Sequence, residues 1–350
     1  MKKFKEYTER AFSLLGQQNP LYKSSSFWEK ACKEITEQTI KKGLNNFRED
    51  QTNLSFFVPT YGYPGNSFSK EKIQEILNFL EQDNLKKPFL GQKQFLSGYD
   101  QALSDYRVLL ASNKKTDKLD LLSFSESTFG NPIEHFEIEE KVFSRSSMNY
   151  LLGLSYLKSL LPSFVPQSVL EIGGGFGSLG EILNKTHTQD FKYIDVDLPP
   201  MFSIAHEYMR NACNLSEKEL YISDLDQTPK KLDIAELPMF SFLPSWEMEN
   251  LTGKIDLFVN FISFQEMEPP IVRNYLKRVS DLEAEVILLR NMREGKQKAT
   301  KSRVGVITPV LGEDFKKLLS NYKLIGKNVM PYGYATVDKF HSELYVFTRK

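Results

Sequence analysis

SVLEIGGGFGSLGEIL, Ser168–Leu183, joins a short apolar run to a helical pattern through a glycine-rich turn. From Gly175 it reads Gly-Phe-Gly-Ser-Leu-Gly, the GxGxxG spacing that cradles a dinucleotide pyrophosphate. From Glu171 it reads Glu-Ile-Gly-Gly-Gly-Phe-Gly, an ExGxGxG, the form used for S-adenosylmethionine. In a dinucleotide fold the strand runs directly into the first glycine. Here the strand is expected to end at Ile172, so Gly173 and Gly174 intervene. Glu171 is then expected at the strand end, beside the place where phosphates would lie. A carboxylate there would repel them at a cost on the order of several kcal/mol at ~4 Å and an effective dielectric of ~20. A ligand bearing an ammonium group reverses the sign. Gly173, Gly175 and Gly177 would let backbone approach its methionine and ribose parts closely. The turn therefore predicts S-adenosylmethionine as cofactor.

Outward from the turn, the texture alternates. SVLEI, KYIDV, MFSFL, KIDLFVNFI, EVILL, KLIGKNV and ELYVFTR are strand-like and are separated mostly by helical segments. That alternation calls for a mostly parallel sheet flanked by helices. The last two strands have no helical pattern between them, which permits an antiparallel pair. Asp197, in YIDVDLPP, ends the second strand about twenty residues past Gly177. A carboxylate there can accept both ribose hydroxyls. Asp195, two residues earlier, is the fallback, and capping ahead of Leu198-Pro199-Pro200 is the structural alternative for Asp197.

Upstream of about residue 145, helix-like periodicity predominates, at Phe4–Leu15, Phe27–Phe47, Lys70–Leu80 and Lys93–Leu110. Aromatic, turn-rich pieces lie between, including VPTYGYPGNSF (Val58–Phe68) and SESTFGNPIEHF (Ser125–Phe136). The expected organisation is a mostly helical cap and substrate region, 1–145, followed by a Rossmann-like domain, 146–350. At 350 residues, 41% apolar, 13% aromatic and zero formal net charge, the chain reads as globular. It does not read as a nucleic-acid or anionic-membrane binder. No run reaches transmembrane length. Cys32 and Cys213 stand far apart without a His/Cys cluster, which fits a reducing compartment and excludes a zinc cage of the usual spacing. A cytoplasmic location is expected, and homo-oligomerisation stays open.

The runs VLEIGGGFGSLGEIL, YIDVDLPP and KIDLFVNFISFQEME together resemble a bacterial sugar O-methyltransferase family of the class I S-adenosylmethionine-dependent superfamily. DLP is also similar to plant-type small-molecule O-methyltransferases, which carry a helical N-terminal extension. The resemblance is strongest from about Ser168 to Val279, and extends to FGNP (Phe129–Pro132) and the helix around Asn149-Tyr150. It implies a class I methyltransferase sheet of seven strands with the last reversed. It further implies methyl transfer to a hydroxyl of a sugar or sugar-containing precursor. The word sugar rests on the resemblance alone. A non-sugar O-methyltransferase, an NAD-dependent sugar-nucleotide oxidoreductase and a non-catalytic scaffold are the rivals.

Ligands of open α/β sheets bind at the carboxyl ends of the strands. Asp256 opens its strand and is expected to be structural. Asn260, Ser263, Gln265 and Glu266 follow the same strand, where a donated methyl should emerge. Transfer to a hydroxyl needs a group to take the proton. Glu266 is one candidate, with the alternative that it stands ahead of the helix begun at Pro269-Pro270. His341 is the other, placed at the ligand edge by the reversal of the last strand. Trp246 is placed to stack on the adenine, or the Leu243–Ser245 backbone to do so, with core or surface packing as the structural alternative for Trp246, and Asn260 is expected to contact the cofactor. Tyr150 and Arg290 are the substrate-side candidates. The basic stretch Arg290–Arg303 could clamp a phosphate or be a solvated loop. His135 could line the cleft; His187 and His206 are expected to be inert. Tyr61 and Tyr63 could stack on a sugar ring or pack the cap. Beyond Glu266 and Glu268 no acidic pair suits a divalent ion, so no metal is expected.

Overall fold

The strand that opens the glycine turn, β1 (Ser168–Ile172), lies at the middle of a largely parallel sheet. The computed structural model describes residues 1–57, 74–79, 94, 96–114, 118–187, 189–227, 230–300, 305–335 and 340–350. After β1 come β2 (Lys192–Asp197), β3 (Leu220–Ile222), β4 (Phe240–Pro244), β5 (Leu257–Phe261), β6 (Val286–Met292), β7 (Tyr322–Asn328) and β8 (His341–Arg349). Their spatial order is β7-β8-β6-β5-β1-β2-β4-β3. β8 runs antiparallel to both β6 and β7, while the pairs from β6 to β3 are parallel. The reversed final strand is as expected from the sequence. The count of seven is corrected by the edge strand β3, and Tyr334–Ala335 adds a short pairing at the start of β8.

Buried runs explain the sheet. Every residue of β4 and β5 is buried, as is β1 beyond Ser168. Side chains covered on both faces suit strands sandwiched between helix layers. From β1 the chain steps to β2 on one side, and only at β5 does it return to the other. The crevice therefore opens over the carboxyl ends of β1 and β5.

The helices are α1 (Lys2–Gln17), α2 (Ser26–Lys42), α3 (Gln51–Phe57), α4 (Tyr99–Ser112), α5 (Arg145–Leu160), α6 (Ser178–Thr186), α7 (Met201–Ala212), α8 (Pro269–Asp281) and α9 (Asp314–Leu318). Among the described residues none is long and apolar enough to cross a membrane. Helix α2 stops before the expected Phe47 because Gly43 takes φ +83° and turns the chain. Helix α5 starts with a reciprocal cap between Ser144 and Ser147. It then presses on β5: a Cβ on Gly153 would stand 2.4 Å from the Phe261 ring, and the Tyr150 ring stacks on Phe261 at 4.7 Å.

One buried cation links the N-terminal region to the glycine turn. Arg48 is 1% exposed, and its guanidinium donates to Glu126 at 2.6 Å and Glu134 at 2.7 Å. The same group lies 4.6 Å from the centre of the Phe176 ring, inside the turn. Glu126 also accepts from the Ser144 backbone N–H at 2.7 Å, so this carboxylate supports the start of α5. Against the cost of burial, the Arg48 guanidinium, aided by His135 and the Ser147 hydroxyl, holds the Glu126 carboxyl well below the usual carboxylate range.

Candidate active site

A cavity of about 470 Å³ occupies the crevice, within the range of small-molecule sites. Its floor is the backbone of Gly173–Gly175 with Asp197 and Leu198. Gly173, Gly175 and Gly177 take φ of +75°, +68° and +97°, conformations that favour glycine. At Gly173 an added Cβ would come within 2.4 Å of Ser263 Oγ, so the β1 turn and the turn after β5 touch. The Gly173 N–H donates to Val196 O at 3.0 Å and the Gly175 N–H to Asp197 Oδ2 at 3.0 Å. Asp197 also takes the Leu198 N–H at 2.6 Å. It stands on the cavity wall, and burial pushes its carboxyl up to about 7 against those two amides.

Glu171 corrects the sequence expectation. It is fully buried behind the turn and off the cavity wall, where it accepts the Tyr150 hydroxyl at 2.6 Å and the Tyr193 hydroxyl at 2.5 Å. The cause is local. Glu171 and Asp195 are register partners on β1 and β2, and both tuck under Gly174. A Cβ on Gly174 would lie 2.7 Å from Asp195 Oδ1 and 2.8 Å from Glu171 Oε2. Burial raises the Glu171 carboxyl to about 7, and raises that of Asp195, whose Oδ2 has no hydrogen-bond partner. Three carboxylates thus crowd the turn. Of the three, Asp197 stands on the cavity wall, and Glu171 and Asp195 lie off it.

The outlet of β5 is built around Asn260. Its amide donates to Ile172 O at 2.9 Å and Ser263 Oγ at 2.6 Å, and its oxygen accepts the Phe264 N–H at 3.2 Å. Asn260 is fully buried and holds the wall without lining it, so the expected cofactor contact is corrected. Two residues on, Ile262 has φ +73° and ψ −40°, an outlier for a β-branched residue, and it lies on the wall. Glu266 lines the cavity, accepts the Trp28 indole N–H at 3.0 Å and pairs with Lys296. Glu268 lies off the wall and accepts the Ile307 and Thr308 amides at 2.7 and 3.0 Å. The two acids after β5 therefore anchor the loop that follows β6. Among the described residues no three His, Cys, Asp or Glu side chains converge to hold a metal ion.

The remaining candidates divide. Tyr150, Gly173, Gly175, Asp197, Ser245 and Glu266 line the cavity. Ser245 Oγ donates to Tyr22 O at 2.7 Å, joining the N-terminal region to the end of β4. Gly177 instead caps α6 and faces Met209, and Trp246 is buried off the wall. Arg290 is 1% exposed and is engaged in structure, donating to Ser342 Oγ and Asn149 O, each at 3.0 Å. It is not a substrate-side residue. His341 is also corrected: strand alternation puts Ser342 on the wall, while His341 turns away to Glu294. His135 sits against Arg48 instead of the cleft. Asp256, as expected, is structural and accepts the Gln167 and Ser168 amides. Of the basic stretch, Lys296 and Gln297 reach the wall; residues 301–303, like Tyr61 and Tyr63, lie outside the described residues.

Sequence reasoning missed Trp28, Phe56, Lys296, Tyr334 and Phe340, all on the wall. Trp28 and Phe56 come from the N-terminal helices and lie 6.4 Å apart, ring to ring. No local pattern marks them; Lys296 alone stood inside a stretch that charge had singled out.

No family model matches the chain, and no curated protein matches it. Solved structures that match are distant. Magnesium protoporphyrin IX methyltransferase from Synechocystis PCC 6803, with bound SAM, is 13% identical at TM-score 0.38, over 59% of this chain and 81% of that one. A S-adenosylmethionine-dependent methyltransferase from Clostridium acetobutylicum is 17% identical at TM-score 0.38, over 57% and 90%. The mitomycin 7-O-methyltransferase MmcR is 14% identical at TM-score 0.37, over 58% and 57%. At such distance the fold rests on the strand order described above.

Proposed function

We propose that the chain is an S-adenosylmethionine-dependent O-methyltransferase whose acceptor is a hydroxyl of a sugar or sugar-containing precursor. One observation carries the cofactor reading: the glycine turn is ringed by Glu171, Asp195 and Asp197, all with carboxyls raised by burial, Glu171 and Asp195 further by neighbouring negative charge. A cationic ligand relieves that crowding and a diphosphate worsens it. The fit is supported by the glycine cradle and by the orphaned Asp195 Oδ2 beneath it. The solved methyltransferases above, one of them holding SAM, are compatible with the same reading.

S-adenosylmethionine, when bound, supplies an electrophilic methyl on a sulfonium. In this reading Asp197 holds the ribose hydroxyls, and the Gly173–Gly175 backbone lies against the amino-acid part. Glu266, on the acceptor side, would take the proton that the acceptor hydroxyl gives up. Trp28 and Lys296 hold its carboxylate in place. Residues 1–145 serve as the cap over the acceptor, through Trp28, Leu54 and Phe56.

A second reading is favoured by the apolar and aromatic wall of Trp28, Phe56, Met267, Tyr334 and Phe340. It keeps the donor and the chemistry and replaces the sugar with an aromatic or otherwise apolar hydroxyl compound. Turnover assays with S-adenosylmethionine against a panel of sugar nucleotides, glycan precursors and phenols separate the two. The sugar reading expects S-adenosylhomocysteine release together with a one-CH₂ mass gain on a sugar acceptor. Gain on phenols alone selects the second, and release with none of the panel sinks both.

A further inference from the structure

Helix α5 brings an unused hydrogen-bond donor to the cavity. Asn149 is 3% exposed, lies on the wall, and its Nδ2 is buried without a hydrogen-bond partner. A buried amide N–H left unpaired is costly, and native structures rarely keep one without a reason. Its backbone carbonyl, in contrast, is occupied by Arg290, which pins this point of the helix.

The neighbours of Asn149 on α5 show what it faces. Three residues earlier, Ser146 also lines the cavity, with Oγ 3.2 Å from Ser178 Oγ, the first residue of α6 after the turn. One residue later, the Tyr150 hydroxyl reaches Glu171 at the end of β1. The helix is thus moored to both ends of the turn, Ile172 to Gly177, with Asn149 between the moorings. The α5 residues that line the cavity here, Ser146, Asn149 and Tyr150, are all uncharged, whereas the turn itself is ringed by Glu171, Asp195 and Asp197.

An α-amino acid carries two opposite charges on one carbon. If Asp197 takes the ribose, the amino-acid end of the donor extends along the turn towards α5, its ammonium favoured by the acid cluster. Its carboxylate, repelled by that cluster, needs donors elsewhere. We propose that Asn149, assisted by Ser146, is the carboxylate-binding residue of the donor site, with Asn149 Nδ2–H donating to a carboxylate oxygen. The inference rests on the cofactor reading above and deepens it.

The test compares S-adenosylmethionine with its decarboxylated analogue, which keeps the adenosine, the sulfonium and the amine. Binding of each to the full chain is measured by calorimetry for wild type, Asn149→Leu and Asn149→Asp. Wild type is expected to favour the carboxylated ligand roughly 10- to 100-fold, the worth of a hydrogen bond to a charged group. Asn149→Leu should lose most of that preference by weakening S-adenosylmethionine alone. Its melting temperature without ligand should be no lower than wild type, since an orphan donor has gone. Asn149→Asp should weaken S-adenosylmethionine more than the analogue through like-charge repulsion. Equal weakening of both ligands in Asn149→Leu, or no change in either, overturns the assignment. So does a wild type that binds both ligands alike, with the cofactor reading left standing. A wild type that binds neither overturns that reading, and this inference with it.

Discussion

The Trp28 indole N–H donates to Glu266 Oε2 at 3.0 Å across 238 residues of sequence, so the N-terminal region and the turn after β5 share one cavity wall. The contact ties the α2 helix to the carboxylate assigned to proton transfer. Glu266→Gln keeps the shape and removes the base. It is expected to lower kcat roughly 10²- to 10⁴-fold with donor affinity unchanged, read from steady-state kinetics and calorimetry. A kcat within threefold or so of wild type removes Glu266 from the chemistry.

Lys296 pairs with the same carboxylate and compensates its charge. Lys296→Met removes one of the two groups that hold the Glu266 carboxylate and is expected to lower kcat with donor affinity unchanged, read from steady-state kinetics and calorimetry. A kcat equal to that of wild type would mean that Lys296 does not position Glu266.

Glu171 makes stability depend on pH. Its folded carboxyl, raised to about 7, binds a proton more tightly than in the unfolded chain, so the native state holds more protons between the two values. Stability is then complete below about 4.5, the unfolded value, and falls as pH rises through about 7. Asp195 and Asp197 shift in the same direction. Glu171→Gln keeps a partner for Tyr150 and Tyr193 and cannot ionise. It should melt higher than wild type at pH 8 by on the order of 2–3 kcal/mol of stability and lose much of the slope between pH 5 and 8. Parallel melting curves for the two proteins across that range would contradict the burial argument.

Much of the architecture was legible because its signals are local. Glycines mark the turn, Pro269-Pro270 marks the start of α8, and buried runs of four residues or more mark β1, β2, β4, β5 and β6. The edge strand β3 escaped because three residues carry too little periodicity. Gly173, Gly175, Asp197 and Glu266 were readable as cavity residues from the rule that ligands sit at strand ends. His341 and Glu171 were misplaced for one shared reason. Which face of a strand a residue takes depends on register, and neither the tuck beneath Gly174 nor the outward turn before Ser342 is written locally. Trp28 and Phe56 needed the tertiary packing itself.

Gly173 and Gly16 make a controlled pair. Gly173→Ala places a methyl group against Ser263 at φ +75° and should cost roughly 1–3 kcal/mol of stability and weaken donor binding. Gly16→Ala, near the end of α1 with nothing within 4 Å, should be neutral or slightly stabilising. Chemical denaturation of both variants checks the contrast, and equal effects would deny the close contact between the two turns.

Arg48 is one buried link between the N-terminal region and the glycine turn. Arg48→Ala leaves Glu126 and Glu134 without their cation and should cost about 3–5 kcal/mol. Denaturant midpoints test this; a loss below about 1 kcal/mol would show that the acids find other partners or protons.

Affinity for the donor probes the whole account at its root. Isothermal calorimetry of the wild-type chain with S-adenosylmethionine and, separately, with NAD should give saturable binding of the first and none of the second at millimolar concentration. Asp197→Ala should abolish most of the first signal. Saturable NAD binding without S-adenosylmethionine binding would contradict a glycine turn made selective for a cation by Asp197 and the two acids behind it.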